Sequence, residues 1–223
     1  MNVDEKRMDC KAIIFDLDGT LLDTLVDIAD AANRALAERG FPPHEHQAYR
    51  WFVGDGSRRL MTRALPANQC TPETIDACLI AFIAAYHRRW NRATQPYTGI
   101  NDLLGQLTRQ GIQLAVVTNK PHRFTGDMMA HYFSEFPFDP ILGQMDGVPK
   151  KPHPRQALNA ADLMGVRPKD CIFIGDSGVD MQTACGAGML PIGAGWGFRP
   201  AKELNDAGAA DVIAHPLDLL RWV

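Results

Sequence analysis

Asp16 and Asp18 stand one residue apart behind an apolar run, in the stretch CKAIIFDLDGTLLDT from Cys10 to Thr24. Two carboxylates about 4 Å apart repel by roughly 4 kcal/mol at an effective dielectric near ~20. Folding has no use for that repulsion, so a cation or a reacting group is expected beside them. Three other stretches carry groups that suit such a site. QLAVVTNK ends in Thr118-Asn119-Lys120, GDSGVD brings Asp176 and Asp180 together, and KKPHP sets Lys150 and Lys151 on a proline-stiffened loop. Clustered carboxylates favour a hard cation with oxygen ligands, and Mg²⁺ takes one or two of them while keeping several waters. Threonine and backbone amides hold phosphate oxygens, and lysine adds a positive point charge. The combination suits phosphoryl transfer, where positioning and charge neutralisation do most of the catalysis. No serine–histidine pair and no zinc-spaced histidines compete with it.

Blander readings exist for each piece. DLDGT imitates the start of a calcium loop, but Leu21 stands where that loop needs glycine and Asp27 replaces its closing glutamate. Asp180 is also what a first helical turn favours. Lys150 competes with Lys151, and the Lys-Pro-x-Pro pattern selects Lys151. GAGWGF, Gly193–Phe198, lacks the helix-opening fingerprint of a dinucleotide loop and reads equally as a border of the site or as packing at the core edge. His44 and His46 lie beside two prolines in a surface turn, and Phe82 and Trp90 read as core.

The elements that must position these residues follow from hydrophobic patterning. Continuous apolar runs at Ala12–Asp16, Gln113–Asn119, Cys171–Asp176, Leu190–Gly195 and Asp211–His215, with a weaker one at Pro140–Gly143, predict strands buried on both faces of a parallel sheet. Between them, helical patterns at Ile100–Gln110, Arg155–Met164 and Val179–Ala187 each stop at a glycine. This alternation predicts an α/β fold with a doubly wound, mostly parallel sheet. The C-terminal strand ends would then share one side, where open α/β sheets bind ligands. From Leu25 to Thr94 the rhythm changes to helices alone, over Asp27–Arg39, Gln47–Phe52, Ser57–Leu65 and Pro72–Arg92. The expected division is a core over 10–24 and 95–223, an inserted α-helical cap over 25–94, and a flexible tail over 1–9.

The whole chain of 223 residues, 46% hydrophobic and 22% charged, can bury a core as one large domain or a domain with an insertion. A net charge of −3 without a basic stripe argues against nucleic acid as a partner. The longest apolar helical run, Ala77–Tyr86, is about half a membrane span, so no membrane is expected either. Five cysteines without a CxxC pair fit reduced thiols in a cytoplasmic protein.

DLDGTLLDT, VVTNK, KKPHP and GDSGVD, in this order, resemble the four motifs of the haloacid dehalogenase-like hydrolase superfamily, over Lys11 to the C-terminus. The arrangement is most similar to its phosphoglycolate phosphatase-like members, whose helical cap is inserted after the first motif. The resemblance implies that Asp16 is the nucleophile, forming an aspartyl-phosphate, and that Asp18 is the general acid–base. It implies Mg²⁺ held by the Asp16 carboxylate, the Asp18 backbone carbonyl and Asp176, with support from Asp180. Thr118, Asn119 and Lys151 would bind phosphate. Gly54, Asp55, Gly56 and Arg58, in the cap stretch WFVGDGSRRL, would read the substrate, with Ser57 opening a helix beside them. Relatives often carry asparagine where Asp55 stands, and an inward Asp55 would disfavour a carboxylate substrate. The implied activity is hydrolysis of a small phosphorylated metabolite such as phosphoglycolate or a sugar phosphate. A phosphomutase, a pyrophosphatase and a non-catalytic receiver-type phospho-acceptor are the alternatives; a dehalogenase would lack an acid at Asp18.

Overall fold

A computed structural model describes residues 9–223, so the tail expected over 1–9 falls outside it except for Asp9. The chain runs β1 (Ala12–Phe15), β2 (Leu22–Asp23), α1 (Leu25–Ala37), α2 (Tyr49–Phe52), α3 (Ser57–Ala64), α4 (Pro72–His87) and β3 (Gln95–Pro96). It continues through α5 (Ile100–Arg109), β4 (Gln113–Pro121), α6 (His122–Tyr132), β5 (Phe138–Gln144), α7 (Arg155–Leu163) and β6 (Cys171–Gly175). The last elements are α8 (Gly178–Ala187), β7 (Leu190–Ala194), α9 (Ala201–Asp206), β8 (Asp211–Ile213) and a 3₁₀ segment over Pro216–Trp222.

The main sheet has six strands in the order β5-β4-β1-β6-β7-β8, every pairing parallel. Strand order reverses between β1 and β6, the switch point at which the two halves of a doubly wound sheet splay apart and leave a crevice. The pleat explains why the runs are continuously apolar. Ile13 and Phe15 face one way and pack with Leu103, Leu104 and Leu107 of α5 and Met128 and Met129 of α6. Ala12 and Ile14 face the other way, against Ala157, Ala160 and Ala161 of α7 and Ala184 of α8. Small residues on that second face let helices sit close to the sheet.

The helices α1–α4 have a hydrophobic cluster of their own, including Leu36, Tyr49, Met61, Cys78 and Phe82, joined by Phe124 and Phe198 from the sheet side. α4 opens with Thr71 accepting from the Thr74 N–H (3.2 Å) and with Pro72 at its first position, where a missing N–H costs nothing. It stops at His87, short of the expected Arg92, because the chain turns back toward α1. The turn is fixed by Asp27, buried in the first turn of α1. Its carboxylate accepts from the Ala93 N–H (3.0 and 3.1 Å), the Thr94 N–H (2.8 Å) and the Thr94 hydroxyl (2.7 Å). Beside it β2 and β3 pair antiparallel, so the outgoing and returning linkers are joined to each other. α6 and α9 had no counterpart in the patterning; α6 buries only Phe124, Thr125, Met128 and Met129 and carries Gly126 in mid-helix.

Asp27→Ala removes an acceptor from buried donors, each costing about 1–3 kcal/mol when left unpaired. The expected loss is about 3 kcal/mol in urea unfolding, and a loss under about 1 kcal/mol would show that the linkers are held by other contacts.

Candidate functional site

Every strand-end residue singled out in the sequence reaches the crevice at the switch point. Asp16 follows β1, Asp176 follows β6, and Asp180 lies in the first turn of α8. One carboxylate oxygen from each of these three buried acids lies within 4.8 Å of the others. Lys151 reaches in from the loop before α7. Its Nζ lies 2.8 Å from Asp16 Oδ1 and donates to Asp180 Oδ1 (2.7 Å) and to the Val117 carbonyl (3.0 Å). Lys150 is exposed at the rim. Asp18, two residues beyond Asp16 on the turn after β1, faces Lys120, whose Nζ donates to both of its oxygens (2.9 and 3.0 Å).

Glycine is required where these loops meet. Gly19 has φ of +86°, which side-chain-bearing residues rarely adopt, and a Cβ on Gly19 or on Gly197 would run into Asp176. The loop carrying Gly197, which the sequence alone leaves open between site border and core edge, borders the site. The Phe198 N–H donates to Asp176 Oδ2 (2.7 Å), and Trp196 Nε1 donates to the Thr20 carbonyl (3.0 Å).

The electrostatics follow from burial. Burial raises the Asp176 carboxyl well above the usual range, and the Asp180 and Asp16 charges push it the same way, against the Phe198 N–H. Asp180 is also raised, first by burial, although Lys151 opposes this. Burial alone would lower the Lys151 ammonium, but Asp16 and Asp180 outweigh it and hold the group above its ordinary value. Lys120 behaves alike, with Asp18 and then Tyr86 outweighing burial. Four carboxylates therefore face two buried ammonium groups, Lys120 and Lys151.

That donor set fits a small divalent cation. Asp16 Oδ1 is buried and meets Lys151 as an ion pair without hydrogen-bond geometry. Ligand oxygens around Mg²⁺ at about 2.1 Å stand at most ~4.2 Å apart, a spacing the three acids can reach. Asp180 is differently placed, because both of its oxygens are engaged: Oδ1 by Lys151, Oδ2 by the Ser177 N–H (3.1 Å) and hydroxyl (2.6 Å) in a capping box. It orients the lysine and the helix start, leaving Asp16 and Asp176 as the side chains with oxygen to offer.

The other expected residues divide. Thr118 is buried on the cavity wall. Asn119 lies there too, but its amide is committed: Oδ1 accepts from the Lys151 N–H (2.9 Å), and Nδ2 donates to the Lys151 carbonyl (3.1 Å) and the Gly54 carbonyl (3.0 Å). It fixes Lys151 and the cap loop rather than presenting donors to a phosphate. Gly54, Gly56 and Ser57 line the cavity over Asp16 and Asp18. Asp55 and Arg58 do not reach it; Asp55 pairs with Arg63 (2.5 Å) and Arg58 with Asp76.

The sequence gives Lys120 no role beyond its place at the strand end, and it does not mark Tyr86 at all. Lys120 closes the same motif as Thr118, and only the bend of the chain shows that its amine turns back to Asp18. Tyr86, from α4, accepts from Lys120 Nζ (2.8 Å) and carries no motif. Arg50 and Arg199 were missed for the same reason. Arg50 donates to the Phe198 (2.9 Å) and Gly197 (2.7 Å) carbonyls across the cavity mouth, and Arg199 Nη2 donates to the Val53 carbonyl (3.0 Å).

Comparison with known proteins agrees with this geometry. The model of the haloacid dehalogenase-like hydrolase family matches residues 13–194. A phosphoglycolate phosphatase of Pseudomonas putida strain KT2440 is 35% identical over 207 residues, covering 91% of this chain and 76% of that protein. A phosphoglycolate phosphatase of Psychrobacter arcticus is 34% identical over 223 residues, covering 96% of each. A crystal structure from Lactobacillus delbrueckii subsp. bulgaricus superposes with a TM-score of 0.87 at 31% identity, over 94% of this chain and 96% of that one. The chain therefore belongs to the haloacid dehalogenase-like hydrolases, among their phosphoglycolate phosphatase-like members.

Proposed function

We propose that this phosphatase hydrolyses a small phosphate monoester, of the phosphoglycolate or sugar phosphate type, through an aspartyl-phosphate on Asp16, with Mg²⁺ as its cofactor. The observation that carries the reading is the buried Asp16 carboxylate, paired with Lys151 at 2.8 Å and clustered with Asp176 and Asp180. Asp16 attacks phosphorus while Asp18 gives its proton to the departing ester oxygen; water then attacks the aspartyl-phosphate and Asp18 takes the proton back. Lys151 neutralises charge on the transferring group, and the Thr118 hydroxyl donates to one of its oxygens. Asp16, Asp176 and the Asp18 carbonyl would hold Mg²⁺, which supplies the charge that lets one anion approach another. The cap, drawn over the crevice by Arg50, Asn119 and Arg199, keeps bulk water away.

The turn of Asp55 toward Arg63 bears on the substrate, because it takes a negative charge off the cavity wall. What the cap loop presents there is the Gly54–Gly56 backbone and the uncapped start of α3 at Ser57. Such a surface tolerates a carboxylate or hydroxyls on the leaving group, in keeping with the names of the relatives.

A panel of phosphate esters including 2-phosphoglycolate, assayed with Mg²⁺, tests the reading. Asp16→Asn is expected to lower turnover by at least about 10³-fold with the fold intact, and EDTA to abolish it. Turnover surviving either treatment removes the nucleophile or the metal from the scheme. ¹⁸O-labelled water is expected to place its label in the released phosphate.

The raised Asp176 gives a second expectation. The folded state holds that proton more tightly than the unfolded chain, so the cation-free protein loses stability as pH rises from the ordinary carboxylate range through the raised value. Bound Mg²⁺ needs the ionised form. Its increment in Tm is therefore expected to be larger at about pH 8 than at about pH 5, and an increment that shrinks with pH would contradict Asp176 as a ligand.

A further inference from the structure

We propose that Tyr86 and Lys120 are positioning residues that keep the Asp18 carboxylate in register for proton transfer only while the helical cap covers the core, an inference that rests on the phosphatase reading above. An ammonium has three donors, and all three on Lys120 are spoken for: Asp18 Oδ1 at 2.9 Å, Asp18 Oδ2 at 3.0 Å and Tyr86 Oη at 2.8 Å. Lys120 and Tyr86 are buried, while the Asp18 side chain keeps 12% exposure on the cavity side. The carboxylate is thus gripped by both oxygens from behind and open only toward the substrate space.

The grip has a divided origin. Asp18 and Lys120 belong to the core, on the turn after β1 and at the end of β4, whereas Tyr86 belongs to the cap, in the last turn of α4. Its ring is set by stacking on Phe82 of the cap (centroids 5.6 Å apart) and by an edge contact with Phe124 of the core (5.2 Å). Lifting the cap withdraws the hydroxyl, freeing one donor of Lys120 and with it the direction of the ammonium. Proton transfer tolerates little misplacement, since an error of 1 Å can cost about 10²-fold. The cap would therefore complete the acid–base apparatus as well as excluding water, without Tyr86 touching the reacting atoms.

The proton balance states where the effect must appear. As the Asp16–phosphorus bond forms, the phosphorus–ester oxygen bond breaks and its electron pair stays on the leaving oxygen, which takes the Asp18 proton. An aliphatic alkoxide needs that proton, whereas p-nitrophenolate leaves without it. The test is kcat/KM, which reports on steps up to loss of the leaving group, for p-nitrophenyl phosphate and for an aliphatic phosphate ester. Tyr86→Phe keeps the ring packing and is expected to lower the aliphatic value about 10- to 100-fold and the p-nitrophenyl value less than about 3-fold. In an Asp18→Asn background, Tyr86→Phe should cause no further loss. Equal losses on both esters, or a full additional loss in that background, would overturn the proposal in favour of a structural role. A readout independent of turnover is the ¹⁵N signal of the Lys120 ammonium, assigned by its loss in Lys120→Met. It should be protected from exchange in the wild type and lose protection in Tyr86→Phe; a signal unprotected in the wild type overturns the grip itself. A wild type inactive on every ester would instead refute the phosphatase reading, and the ammonium signal would still decide the grip.

Discussion

The site depends on an excess of buried negative charge. Four acids, Asp16, Asp18, Asp176 and Asp180, crowd around two buried lysines, and such a cluster persists only if each charge is met by an opposite charge, a hydrogen bond or a proton. Lys151 answers Asp16 and Asp180 together, Lys120 answers Asp18, and burial pushes Asp176 toward its protonated form. With all four acids ionised, the remainder is two negative charges, which a divalent cation would neutralise. The glycines follow from the same requirement, because Gly19 and Gly197 give up side chains so that the backbone can close around Asp176.

The sheet supplies the place and the cap supplies the lid. Parallel strands with a reversal of order between β1 and β6 leave an opening at their carboxyl ends, and the loops leaving those two strands deliver Asp16, Asp18 and Asp176 to it. The cap is tied down by polar contacts that land beside working residues. Asn119 joins Gly54 to the backbone of Lys151, and Arg50 holds the carbonyls of the loop whose Phe198 N–H grips Asp176. Contacts from the cap thus end on partners of the lysine, of the Asp176 carboxylate and, through Tyr86, of Asp18. The outgoing and returning linkers are joined to each other by the β2–β3 pair and by Asp27.

The cavity wall that faces the acids comes from the cap. Ile28, Val53, Leu60 and Phe82 give it an apolar surface, interrupted by the Gly54–Ser57 backbone. Asp55 and Arg58 lie at the edge of that wall and are neutralised by Arg63 and Asp76, so their charges act on the cap's own stability more than on the contents of the cavity.

The sequence by itself determined the layered architecture and the acidic floor of the crevice. Continuous apolar runs can be satisfied only by strands covered on both faces, and acids placed directly after such runs must arrive at the same edge of a parallel sheet. The helical insertion was equally legible, since no strand pattern interrupts Leu25–Thr94. Tertiary structure alone decided which polar side chains turn inward. Asn119 and Asp55 look like ligands in the sequence, yet Asn119 is spent on the Lys151 backbone and Asp55 on Arg63 of α3. Tyr86 and Arg50 look like ordinary helix residues and become contacts to the site. Motif spacing encodes where the backbone delivers a residue; the direction of its side chain is settled by whichever buried charge or carbonyl would otherwise stand unpaired, and that depends on how the cap and the core meet.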